Sequence, residues 1–146
     1  MRALVQRVRW SEVRVGDSRI SGIGPGLLVF LGVGLTDTAK ESVHLAGKVA
    51  SLRIFEDTEG KMNLSVRDAG GEVLVVPQFT LLADTSRGNR PGFGKAAPPD
   101  QAQRLYERFI GDLEATGVPV RSGVFRAEML VSLANDGPVT ILLESP

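Results

Sequence analysis

The chain opens on alternating apolar and polar residues. A period of two sets Leu4, Val8 and Trp10 on one face with Gln6, and Val5, Arg7 and Arg9 on the other. Val13 and Val15 continue the pattern, and Gly16-Asp17 before Ile20 marks a turn between strands. Leu27–Val33 is almost unbroken apolar sequence, as in a strand buried on both faces. The period then lengthens. Leu45, Val49 and Leu52, flanked by Ala46 and Ala50, form a stripe at spacings of three and four, which predicts a helix. Thr38-Ala-Lys-Glu41 ahead of it matches a capping box. Glu56–Gly60 reads as a turn, and Val73–Val76 as a short buried strand running into Pro77-Gln-Phe-Thr-Leu81. Ala83–Pro99 is a long polar loop rich in Gly and Pro. A second helix starts near Pro99, where proline suits the first turn. Ala102, Leu105, Tyr106, Phe109, Ile110 and Leu113 keep helical spacing, and Gly117 suits a stop.

Strands return at Val118–Arg121 and continue to the C-terminus. Met129–Leu133 and Val139–Leu143 both look extended, with Asn135-Asp-Gly-Pro138 between them. Proline has no N–H for a ladder and is confined to strand edges, strand starts and bulges. Gly137-Pro138 is therefore either a plain turn or a feature held for a purpose. Local physics does not favour a cis peptide there, because cis is the minority form of X-Pro bonds. Strands, helix, strand, helix, strands predict one mixed α/β domain over residues 1–146.

Lys+Arg and Asp+Glu both number 17, so the net charge is zero. Proteins that coat nucleic acid are usually basic overall, so any such contact here is expected to be local. The apolar run Leu27–Leu35 is far too short to span a bilayer. The N-terminal MRALVQRVRW lacks the apolar core of a signal peptide, and a cytoplasmic protein with no membrane role is expected. There is no cysteine and one histidine. Thiol chemistry is excluded, and a Ser-His-Asp triad would need His44. That residue falls with Lys40, Glu41, Lys48 and Ser51 on the polar side of the first helix, so it is expected to face solvent. No metal or cofactor is expected.

Other motifs are less specific. Gly22-Ile-Gly-Pro-Gly26 precedes a strand and not a helix, so a hairpin turn is preferred over a phosphate loop. Thr80, Ser86, Ser132 and Thr140 offer hydroxyls, but a nucleophilic hydroxyl needs a base nearby and none is evident. The loop Arg87-Gly-Asn-Arg90-Pro-Gly-Phe-Gly-Lys95 sets three cations around an aromatic ring. It suits a phosphate or a nucleic-acid end, or is simply a solvated loop.

MRALVQRV, LRIFED, GKMNLSV, VVPQFTLLAD, GNRPGF, AAPP before a helix with LYERF, GVF and NDGPVT follow one another along essentially the whole chain. In this order they resemble the D-aminoacyl-tRNA deacylase family. The resemblance implies a barrel-like, largely antiparallel or mixed sheet with two main helices. It implies hydrolysis of the ester between a D-amino acid, or glycine, and the tRNA 3′ end, with D-aminoacyl-tRNA as partner and no DNA. It also implies a homodimer in which each subunit inserts a Gly-cis-Pro, here Gly137 and Pro138, into the other's site. Gln78, Phe79 and Thr80 would be catalytic through backbone N–H groups and the substrate 2′-OH. Met129, Phe125 and Pro77 would line the pocket, and Arg87, Arg90 and Lys95 are candidates for tRNA phosphates. Two positions depart from the family pattern. Pro77 stands where serine is usual, and Arg126 where glycine is usual.

Overall fold

The computed structural model describes residues 1–146. Two long strands organise it. β1 (Arg2–Val15) pairs antiparallel with the last strand, β8 (Leu130–Glu144). Along its other edge, the first half of β1 pairs antiparallel with β3 (Gly26–Gly32) and the second half with β2 (Ser18–Ile23). Beyond β3 the sheet continues with parallel β6 (Glu72–Pro77) and then parallel β7 (Val120–Ser122). The Ser21 hydroxyl donates to the Ser122 carbonyl at 2.8 Å, so β2 curls back toward the far edge and the sheet is barrel-like. β4 (Phe55–Glu56) and β5 (Met62–Leu64) form a separate hairpin.

Helices α1 (Ala39–Ser51) and α2 (Pro99–Glu114) link β3 to β4 and β6 to β7. The capping box forms: Lys40 N–H donates to the Thr38 hydroxyl, and Thr38 N–H donates to the Glu41 carboxylate at 2.6 Å. The Thr38 hydroxyl also donates to the Glu41 carboxylate, and this bond first, then the Thr38 N–H, holds the Glu41 carboxyl below its usual range. The apolar stripes meet on one face of the sheet. Leu45, Val49, Phe109 and Leu113 pack against Val5, Leu27, Val29 and Val75, all fully buried. Each such side chain contributes about 1.5–3 kcal/mol. A second cluster, with Val8, Val13, Leu28 and Leu74, fills the opposite face. That is why Leu27–Leu31 carries no polar residue. His44 is exposed on α1, as its position in the pattern implied.

Three local expectations change. Trp10 does not follow Val8 inward: the register slips between Val8 and Trp10, so Ser11 and Val13 are buried and Trp10 is 46% exposed. A bulge inserts one residue and reverses the alternation. Gly22–Gly26 is a turn but not a hairpin, because β2 and β3 both pair with β1 and not with each other. It lets the chain step along one edge of β1. Finally, Gly137-Pro138 does not separate two strands. It lies within β8, both halves of which pair with β1.

A short 3₁₀ turn, Phe79–Leu82, follows β6 and was not evident from periodicity. Gly32 allows it to sit close: a Cβ there would lie 2.6 Å from Leu82 Cδ2 and 3.0 Å from the Gln78 carbonyl oxygen. Gly32→Ala is expected to cost roughly 1–3 kcal/mol through overpacking, read as a lower urea midpoint. An unchanged midpoint would mean the turn shifts freely and its position is not fixed by this contact.

Candidate active site

Gln78 N–H donates to the Leu31 carbonyl at 2.8 Å, which fixes the start of the 3₁₀ turn against β3. Beside it opens a cavity of about 600 Å³ between the end of β6, the loop before α2 and the segment joining β7 to β8. Pro77, Gln78, Phe79, Phe125 and Met129 line it, so five of the sequence-derived site residues meet there. Phe79, 56% exposed, meets Phe93 edge-on with ring centroids 4.9 Å apart. The cationic loop therefore supplies an aromatic ring to the cavity wall. Its base is tied by reciprocal backbone hydrogen bonds between Asp84 and Gly92 at 2.8 and 2.9 Å. Arg87, Arg90 and Lys95 are exposed on this loop and do not line the cavity.

The cavity holds little acid–base chemistry. No carboxylate, imidazole or amine lines it. Tyr106, part of the α2 stripe, reaches it, but its hydroxyl donates to the Val75 carbonyl at 2.8 Å. Burial raises the phenol pKa, so it stays protonated. Thr80 is exposed on the 3₁₀ turn outside the lining, and its hydroxyl accepts from the Gln78 side-chain amide. No base is hydrogen-bonded to that hydroxyl, which speaks against a nucleophilic threonine. Phe79 and Thr80 open the turn, and the first N–H groups of a helical turn have no partner inside it. Such donors can stabilise a developing oxyanion.

Gly137 and Pro138 are absent from this cavity. Asn135 faces Val8 and Thr140 faces Gln6, so Asp136–Val139 stand opposite Arg7 alone and bulge from the ladder. The Gly137-Pro138 peptide is cis, and both residues are exposed. Asn135 clamps the bulge. Its Oδ1 accepts from Val139 N–H at 2.7 Å, and its Nδ2 donates to the Val139 carbonyl at 3.1 Å. Arg7, only 7% exposed, donates from Nε to the Asp136 carbonyl at 2.9 Å and from Nη1 to the Ile54 carbonyl at 2.6 Å. The Val139 side chain is buried in the main core, so the bulge is anchored inward at its end and projects outward at its tip.

Two cavity residues were not evident as site residues. Tyr106 read only as part of the helix stripe, and Phe93 only as a ring among loop cations. Nothing in periodicity separates a cavity floor from a core.

The curled, mixed sheet thus carries an apolar cavity without an ionisable base, and outside that cavity a clamped bulge projects from the β1–β8 ladder. Similarity to known proteins names the family. Residues 4–144 match the model of D-Tyr-tRNA(Tyr) deacylase, and the chain belongs to that family. It is 59% identical to the D-aminoacyl-tRNA deacylase of Anaeromyxobacter dehalogenans over 145 residues, covering 99% of this chain and 97% of that one. It is 58% identical to the protein of the same name from Thermotoga petrophila, with the same coverage. A solved structure described as the c-Myc DNA Unwinding Element Binding Protein superposes with a TM-score of 0.96 at 47% identity, covering 100% of this chain and 99% of that chain.

Proposed function

We propose that this protein hydrolyses the ester joining a D-amino acid, or glycine, to the 3′-terminal adenosine of tRNA, and spares L-esters. Family membership supports the reaction class. The observation that carries the mechanism is the absence of any ionisable base around Gln78 and Phe79. Water attacks the ester carbonyl. Negative charge develops on the carbonyl oxygen and is met by the backbone N–H groups of Phe79 and Thr80. The ribose 2′-OH helps to activate or place the water. The intermediate collapses as the C–O bond to the ribose breaks, the 3′-oxygen takes up the proton given up by the attacking water, and the amino acid and tRNA are released. Thr80 contributes position, and Met129, Phe125 and Pro77 shape the pocket.

Selectivity comes from a second copy of the chain. Its Gly137-Pro138 bulge enters the cavity and presents backbone carbonyls to the substrate α-amino group. A rigid backbone probe excludes an L-side chain by collision. The position of the bulge supports this, since it is exposed and outside its own cavity. So do the apolar side chains that the β1–β8 ribbon leaves exposed: Trp10, Leu130 and Leu142 are 46%, 66% and 51% exposed. Arg87, Arg90 and Lys95 reach phosphates of the tRNA. A duplex-coating role is disfavoured by zero net charge, whatever the DNA-binding relative does. No helix is long and apolar enough to cross a membrane, and the protein works in the cytoplasm, where aminoacyl-tRNA is made.

The test is hydrolysis of matched D-tyrosyl-, L-tyrosyl- and glycyl-tRNA by metal-free protein. The D-ester should be cleaved fast and the L-ester spared, and a 2′-deoxy terminal adenosine should abolish turnover. Equal cleavage of D and L would remove the gate. Turnover without the 2′-OH would remove substrate assistance. Binding without any cleavage would make the protein a capture module.

A further inference from the structure

Arg126 is the one charged residue lining the cavity. Its guanidinium has no hydrogen-bond or ion-pair partner in the chain, and the residue is exposed. Its backbone is unusual as well. Arg126 is the sole non-glycine residue with positive φ, at 66°. It occupies the third position of a turn closed by Ala127 N–H donating to the Val124 carbonyl at 3.3 Å. Turns with positive φ at that position favour glycine. A long cation is thus held at the cavity mouth on backbone that disfavours it, and nothing within the chain accounts for its charge.

Taking the proposed tRNA substrate as given, we infer that Arg126 is a phosphate subsite for the single-stranded tRNA 3′ end. The wall beside it is apolar and aromatic, with Phe79, Phe93 and Phe125, and suits the face of a base. A base seated there leaves its sugar and phosphate at the mouth, within the range of a guanidinium. Arginine matches the oxygens of a phosphate with a planar fork. The same fork would also accept the carboxylate of a D-aspartyl or D-glutamyl substrate. The phosphate is the better assignment because every tRNA brings one, whichever amino acid it carries.

The test is binding of 5′-labelled, uncharged tRNA by fluorescence anisotropy across a salt series, with wild type, Arg126→Gly and Arg126→Lys. Glycine suits the turn, so Arg126→Gly should keep the fold. It should weaken binding several-fold at low salt and reduce the slope of log K against log salt by about 0.7–1, one phosphate's worth. Arg126→Lys should restore the slope but only part of the affinity. Unchanged affinity and slope in Arg126→Gly would overturn the subsite. A loss seen only in hydrolysis of D-aspartyl-tRNA, with D-tyrosyl-tRNA and tRNA binding unaffected, would move the anion to the substrate side chain and also overturn it. Wild-type hydrolysis of D-tyrosyl-tRNA, measured separately, reports on the proposed function, so the two can fail independently.

Discussion

Gly137→Ala is expected to lower hydrolysis of the D-ester on the order of a hundredfold and to erode discrimination against the L-ester. Gly137 has φ 146°, a region that side-chain-bearing residues rarely adopt. A Cβ there would stand 2.7 Å from Val139 Cγ2 and 3.0 Å from Val139 N. Neither neighbour yields easily. Val139 N–H is held by Asn135 Oδ1 at 2.7 Å, and the Val139 side chain is buried in the main core. The bulge must therefore move, and a displacement of about 1 Å at a positioning element can cost a hundredfold in rate. The fold should survive, because the rest of the β1–β8 ladder does not depend on the tip, and the stability loss should be roughly 1–3 kcal/mol. Rates on matched D- and L-tyrosyl-tRNA, beside a thermal melt, check this. Wild-type rates and selectivity in a folded variant would mean that the bulge is not part of the site.

How much of this was legible in the sequence depends on how local each cause is. The two helices were, because a stripe such as Leu45–Val49–Leu52 and a cap such as Thr38–Glu41 are set within a few residues of one another. Strand Leu27–Val33 was legible from its lack of polar residues, which only burial on both faces explains. The slip at Trp10 was not, since a bulge is decided by the partner strand and leaves no mark in the alternation itself. Asn135–Pro138 misled for a related reason. Turn chemistry looks the same whether the chain reverses or merely bulges, and only pairing of both halves with β1 separates the cases. The candidate cavity was legible in part, chiefly through family motifs. Pro77, Gln78, Phe79, Phe125 and Met129 do converge, although about 45 residues separate the two segments. Composition narrowed the chemistry in advance: one exposed histidine and no cysteine leave little for side-chain catalysis.

Arg7→Met should be the second large effect, and it should appear in stability as well as selectivity. Arg7 is charged and buried on the helix-facing side of β1, where Ala3 and Val5 precede it. Its fork joins two elements that do not otherwise touch through it: Nη1 donates to the Ile54 carbonyl after α1, and Nε to the Asp136 carbonyl in the bulge. The Asp136 carboxylate lies 3.9 Å from Nε and is itself 41% exposed, so the ion pair adds little beside these two bonds. Methionine fits the stem but offers no donor, leaving a buried carbonyl at Ile54 unpaired and the base of the bulge free. Each lost partner costs about 1–3 kcal/mol, so a total near 3 kcal/mol is expected. Arg7→Lys separates charge from geometry. It keeps the cation but cannot span both carbonyls with one ammonium, so it should recover part of the stability and little of the D/L discrimination. If Arg7→Lys matches wild type in D/L ratio, the charge near Asp136 is what matters and the bridging of the two carbonyls is incidental. If it fails as Arg7→Met does while melting close to wild type, then the fork sets the direction in which Gly137 and Pro138 project.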